Sequence, residues 1–149
     1  MIVIDSDVFI LDILYPVDPR TETNKGFLAQ TRFARATTIF NVLEVCGLVS
    51  FNKTLEDLRD LFHRFHETYR LQILYPQFAS PATEDVLQRL VTRTFTKIIQ
   101  KMTFGDAVIL ATAESARAEM FVTWNIRHFE GRTTMQVLTP EVFLNRHTT

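Results

Sequence analysis

The sequence predicts an α/β fold with a central, mostly parallel sheet flanked by helices, and three observations lead there. Met1–Ile4 is a continuous apolar run with no polar alternation, as in a strand buried on both faces. Short apolar runs of this kind alternate with helical patterns along the whole chain. The third observation is Asp5, a carboxylate at the tip of the first strand, because open α/β sheets bind ligands at the carboxyl ends of their strands. The first strand and this carboxylate are the centre of the reading.

The elements follow in order. After the first strand, Val8–Tyr15 is an apolar helix that Asp5 or Asp7 can cap. Residues Pro16–Thr23 form a polar loop, Asn24–Thr31 a short helix and Phe33–Thr38 a second strand. Ile39–Phe51 is almost wholly apolar and long enough for a buried helix, broken at Asn52–Lys53. Thr54 and Asp57 make a capping-box pattern, opening an amphipathic helix to Tyr69 through Leu58, Leu61 and Phe65. Leu71–Tyr75 is a strand, Pro76–Ala82 a loop, and Thr83–Lys101 and Thr103–Arg117 are helices. Glu119–Thr123 is a strand ending in a polar patch, Trp124–His128. Met135–Leu138 is the last strand, and Pro140 sits in the first turn of a terminal helix. No repeat, low-complexity tract or boundary divides residues 1–149, which read as one domain.

Composition narrows the function classes. With 149 residues, 46% of them apolar, and a net charge of −1, the chain can build a full core but has no global basic field to attract nucleic acid. An anionic substrate would need a local device, such as a metal or a basic strip. The single cysteine, Cys46, excludes an internal disulfide and a cysteine zinc cluster. No run approaches a membrane span and no signal peptide is evident, so a cytoplasmic protein is expected.

Two further acids stand out. Glu44 is the only charge between Ile39 and Phe51; it is either a partly exposed side chain or a carboxylate kept on an apolar face for a reason. Asp106 stands three residues after Thr103, where it can complete a helix cap. The same placement keeps it ionised through the helix dipole, the state a hard metal ion requires. Gly105 would leave the approach to it open, and Ala107, Ala111 and Ala113 would let this helix pack close to the sheet. Arg93, Lys97 and Lys101 recur at four-residue spacing, a basic strip that could track a nucleic-acid backbone or simply face solvent. His63 and His66 lack a third ligand nearby, Cys46 reads as a small buried hydrophobe, and Trp124 as core or interface rather than a stacking platform for RNA.

The order MIVIDSDVFI, ATTIFNVLEVCG, MTFGDAVILATA and FVTWNIRHFEG, closed by VLTPEVFL, resembles the PIN domain, above all the VapC-type toxin ribonucleases. The resemblance spans essentially the whole chain. It implies a Rossmann-like sheet, metal-dependent cleavage of RNA with Mg²⁺ or Mn²⁺, an antitoxin partner and a homodimer. By motif, Asp5, Glu44 and Asp106 match the family's acids, and Asn125 stands where the fourth motif places a polar or acidic group. Asp7 replaces the more usual Asn, and His128 stands where an acid is common. The resemblance thus implies Asp5, Glu44, Asp106 and Asn125 as metal ligands, with a second ion held poorly. The helices Val8–Tyr15 and Thr54–Tyr69 carry enough apolar residues to suggest the partner surface.

Two other readings stay open. Asp5-Ser6-Asp7-Val8 looks like the nucleophile motif of haloacid-dehalogenase-type phosphatases, with Asp5 phosphorylated and Asp7 as acid/base, although the partner acid and lysine of that family are not evident. A catalytically weak PIN scaffold that binds RNA or a protein is the other.

Overall fold

The computed structural model describes residues 1–77 and 83–147, so Ser80 to Ala82 of the expected Pro76–Ala82 loop lie, with residues 78 and 79, outside the described residues. Five strands, β1 (Ile2–Ile4), β2 (Arg35–Thr38), β3 (Gln72–Leu74), β4 (Met120–Val122) and β5 (Gln136–Leu138), form one all-parallel sheet. Its order is β3-β2-β1-β4-β5, which puts β1 at the centre. The strands lie between helices α1 (Ser6–Leu14), α2 (Thr21–Leu28), α3 (Ile39–Val49), α4 (Leu55–Tyr69), α5 (Thr83–Ile99), α6 (Phe104–Ser115) and α7 (Pro140–His147).

The alternation of side chains along β1 divides the core in two. Ile2 and Ile4 point to one layer with Val8 and Phe9 of α1, Val42 and Val45 of α3, Phe65 of α4 and Phe143 of α7. Val3 points to the other, with Ala36, Phe121 and the small face of α6, Ala107, Leu110 and Ala113. The register agrees, because Val3 pairs with both Ala36 and Phe121. The alanines of α6 are buried, so this helix lies close on the sheet as its composition predicts.

Several local expectations are met. Asp5 caps α1 by accepting from the Ser6 N–H, and Thr54 and Asp57 form a reciprocal capping box on α4. Thr103 caps α6, and its hydroxyl donates to Asp106 Oδ2 at 2.9 Å. Others shift. The helix expected at Asn24–Thr31 begins at Thr21, where the Thr21 hydroxyl donates to the Tyr15 carbonyl. Helix α3 is buried on one side only, since Leu43, Glu44, Gly47 and Leu48 face outward. Arg35, the first residue of β2, is buried, and its guanidinium donates to the carbonyls of Leu28 and Tyr69, the last residues of α2 and α4.

In α1, Val8, Phe9 and Leu11 are buried in the core, Ile10, Ile13 and Leu14 are half-buried and Tyr15 is exposed, so only part of the apolar content of Val8–Tyr15 is left at the surface. Large exposed apolar side chains gather from the end of α3 into α4, at Leu48, Phe51 and Leu55, and along α5, at Leu87, Val91, Phe95 and Ile99. No helix among the described residues is long and apolar enough to cross a membrane.

Candidate active site

Strands β2 and β4 flank β1 on opposite sides, so the chain reverses its order of addition at β1 and leaves a crevice beyond the strand tips. The β1–β4 pairing continues one residue past β1, where the Asp5 N–H donates to the Val122 carbonyl. Since Ile4 pairs with Val122, the next residues, Asp5 and Thr123, come side by side. The Thr123 hydroxyl lies 2.9 Å from Asp5 Oδ2 and 2.9 Å from Asp7 Oδ2, while accepting from the Asn125 N–H. One hydroxyl thus joins two carboxylates. The Trp124 N–H also donates to Asp7, and Asp7 Oδ1 is buried with no partner.

Charge is costly in this setting. Burial raises Asp5 well above the usual carboxylate range, the charge of Asp7 adds to it, and Glu44 contributes. Burial pushes Asp7 up to about 6, against the hydrogen bonds from Thr123 and Trp124 that favour its ionised form.

Glu44 reaches the same corner from α3. The Asn41 amide donates to the Ile4 carbonyl at the tip of β1 and to Thr37 Oγ1, fixing the first turn of α3 against the central strand. Three residues on, Glu44 lies on the same side of the helix, where its Oε2 accepts from the Ser6 hydroxyl at 2.7 Å. It is an exposed side chain with a specific tether.

Asp106 arrives from the other layer. Its Oδ2 pairs with His128 Nδ1 at 2.9 Å as well as with Thr103. The carboxylate partner assigns the ring proton to Nδ1. His128 ends the short 3₁₀ turn Ile126–His128 that follows Thr123, and the buried Phe129 ring anchors this turn 4.6 Å from Phe121. Asn125 is exposed at the start of the turn. No Cβ contact constrains Gly105, where the space is open.

Three tethers went unread in the sequence: Thr123 between Asp5 and Asp7, Ser6 on Glu44, and His128 on Asp106. The basic strip also needs correction. Lys97 turns inward, with its Nζ on Glu114 Oε1 at 2.7 Å and on the Arg132 carbonyl at 2.6 Å. Lys101 lies past the end of α5 with a φ of 67°, so the spacing that linked it to Arg93 and Lys97 does not continue along the helix. Arg93 lines a separate cavity with Arg89 and Arg117. His63 and His66 are exposed on α4.

The donor chemistry suits a hard divalent cation: the groups are carboxylate oxygens, and the buried, unpartnered Asp7 Oδ1 is an acceptor in want of a partner. Among the described residues, no three His, Cys, Asp or Glu side chains stand together as a ready set of ligands. Asp5 and Asp7 are joined by Thr123 and Glu44 approaches through Ser6, but no hydrogen bond among the described residues joins Asp106 to Asp5 or Glu44.

No protein-family model matches the sequence, and no curated protein matches it. Solved structures do. The chain is similar to VapBC-1 of nontypeable Haemophilus influenzae, with 17% identity, 94% of this chain and 98% of that one covered, and a TM-score of 0.65. It is similar to a toxin–antitoxin complex of Klebsiella pneumoniae, with 20% identity, 94% and 98% coverage and a TM-score of 0.61. For VapC20 of Mycobacterium tuberculosis, a toxin that cleaves the sarcin–ricin loop, the values are 13% identity, 81% and 87% coverage and a TM-score of 0.59. Across most of its length the chain therefore has the fold of VapC toxins, the PIN-domain fold that its motif order resembles.

Proposed function

We propose that the protein is a metal-dependent endoribonuclease, hydrolysing RNA phosphodiester bonds as the toxin of a toxin–antitoxin pair. The observation that carries this reading is Asp5, a buried carboxylate at the central strand tip, raised by burial and by the charges of Asp7 and Glu44. Like charges held this close favour a divalent cation between them. Asp5, Glu44 and Asp106 would hold Mg²⁺ or Mn²⁺, with Asn125 as a neutral fourth group. When bound, the ion supplies Lewis acidity, which neutralises phosphodiester charge and makes water a better nucleophile.

The rest is the work of the chain's own residues. Thr123 fixes the Asp5 and Asp7 carboxyl groups, Ser6 aims Glu44, and His128 with Thr103 orients Asp106. The exposed apolar side chains at Phe51, Leu55, Val91 and Phe95 support the partner part of the reading, an antitoxin and a second copy of the chain.

The test is cleavage of RNA against Mg²⁺ and Mn²⁺ concentration. Cleavage is expected to need metal, with Mn²⁺ effective at lower concentration than Mg²⁺ because it accepts nitrogen and neutral ligands more readily. Asp106→Ala is expected to abolish cleavage while lowering stability by only about 1 kcal/mol, the size of a lost cap interaction. Cleavage unaffected by EDTA, or full activity in Asp106→Ala, overturns the reading.

A further inference from the structure

A cavity of about 300 Å³ opens beside the carboxylates, lined by Asp7, Ile10, Tyr15, Arg20, Trp124 and Asn125 among others. That volume is at the lower end for small-molecule sites, about 300–1,000 Å³, and suits one planar ring system. Apolar side chains of α1 line one part of it, and the remaining wall is aromatic, cationic and amide. We propose that the cavity is a nucleobase subsite, which takes the base of a nucleotide adjoining the phosphate held at the carboxylates. The proposal rests on the ribonuclease reading above and gives it a sequence-selecting surface.

The wall is built before any ligand arrives. Arg20 is held flat by Asp18, with Nε to Oδ1 at 2.9 Å and Nη2 to Oδ2 at 2.8 Å, and its Cζ lies 5.5 Å from the centre of the Trp124 ring. Trp124 is itself fixed, its Nε1 donating to Asn24 Oδ1 at 2.8 Å and its backbone N–H to Asp7. The loop that carries Arg20 is tied to the end of α1 by the Tyr15 carbonyl, which accepts from the Asp18 N–H and the Thr21 hydroxyl. About half of the Arg20 side chain and half of Tyr15 remain exposed, offering planar faces. Single-stranded bases are recognised by stacking on such aromatic and guanidinium planes, with side-chain amides reading their edges. Asn125 supplies that amide, one carbonyl acceptor and one NH₂ donor at the rim. Fixed groups bind with less ordering loss than mobile ones. Asp7 and Asn125 belong to both the cavity and the carboxylate corner, so one nucleotide can reach both.

Trp124 is the only tryptophan in the chain, so its fluorescence reports the cavity directly. The probes are adenosine, guanosine, cytidine and uridine against ribose, titrated in EDTA onto the full chain. These nucleosides carry no phosphate for the carboxylates to repel and nothing to cleave. Saturable quenching by at least one nucleoside and none by ribose is the expected result. Tyr15→Ala, whose ring is half exposed, and Arg20→Ala, which also gives up the Asp18 ion pair, are expected to weaken that binding at least about tenfold while the far-UV circular dichroism stays that of the wild type. Equilibrium dialysis gives the same affinities independently of the altered fluorophore surroundings. Equal responses to ribose and nucleosides, or variants that bind as tightly as the wild type, overturn the subsite. Base-dependent quenching in a protein that cleaves no RNA with any metal leaves the subsite standing and removes the nuclease reading. Metal-dependent cleavage without base-dependent quenching does the reverse.

Discussion

Two pairs of carboxylates meet the crevice in opposite ways. Asp5 and Asp7 lie at the strand tip and in the first turn of α1, and they share one threonine hydroxyl. Glu44 and Asp106 stand on the outer helices, more open to solvent, each turned by one or two side chains. The inner pair is positioned by backbone and burial, which raises both groups above their usual range. The outer pair is positioned by tethers that cost little and leave oxygens free. Fixed acids thus come from the core and adjustable ones from the rim.

The comparison is broken most severely at Thr123. Thr123→Val keeps the shape but removes the hydroxyl that lies between the two inner acids, so stability at pH 8 is expected to fall by about 2–4 kcal/mol, read from denaturant melts. A loss below about 0.5 kcal/mol would mean that the inner pair does not depend on this hydroxyl. Asp7→Asn tests the charge itself. It removes the buried carboxylate charge while keeping an oxygen for Thr123 and Trp124, and is expected to stabilise the protein by about 1–3 kcal/mol at pH 8, with little effect at pH 4.

The wild-type pH profile follows with its sign. Asp7 is near 6 when folded and near 3.8 when unfolded, so between those values the native state binds more protons. Stability should therefore rise as the pH falls from 7 towards 5, by on the order of 2 kcal/mol, and Asp5 acts in the same direction. Asp18, Asp57 and Glu119 are lowered and pull the other way only in more acid solution. A flat profile between pH 7 and 5 would show that the inner acids are not strained. The smallest effects belong to the rim. His128→Ala is expected to shift stability by less than about 0.5 kcal/mol yet raise the metal concentration needed for half-maximal cleavage about tenfold. Equal metal requirements for variant and wild type would leave His128 without a role in orienting Asp106.

What the sequence shows on its own is divided in a similar way. Contacts within one turn are readable: Asp5 and Thr54 as caps, Thr103 with Asp106, the alanines of α6. The central strand is readable too, because the apolar run Met1–Ile4 without alternation has few other places in a fold, and the strand forms at Ile2–Ile4. Thr123 reads only as the last residue of a strand, since its partners Asp5 and Asp7 are more than a hundred residues away. A signal for it exists once β4 is placed beside β1, because equal positions past two paired strand ends must adjoin. The inward turn of Lys97 is hidden for the same reason: spacing gives the face of a helix but not what packs over it, here Glu114 and the Arg132 carbonyl. The apolar content of α1 is divided in the same way, with Val8, Phe9 and Leu11 taken by the core and Ile10, Ile13, Leu14 and Tyr15 left partly or fully at the surface.

Arg35 has a consequence for how the protein breathes. One guanidinium closes the carbonyl ends of α2 and α4, two helices far apart in sequence, onto the start of β2. Freeing either helix end leaves a buried cation short of an acceptor, so local opening of one raises the free energy of the other. Amide hydrogens in the last turns of α2 and α4 should then exchange as one cooperative unit rather than fray separately. Both helices sit in the layer that holds α1 and α3. The Arg35 clamp therefore damps slow opening on the side of the sheet that carries Asp5, Asp7 and Glu44, while Asp106 rides on the opposite layer and is free of it.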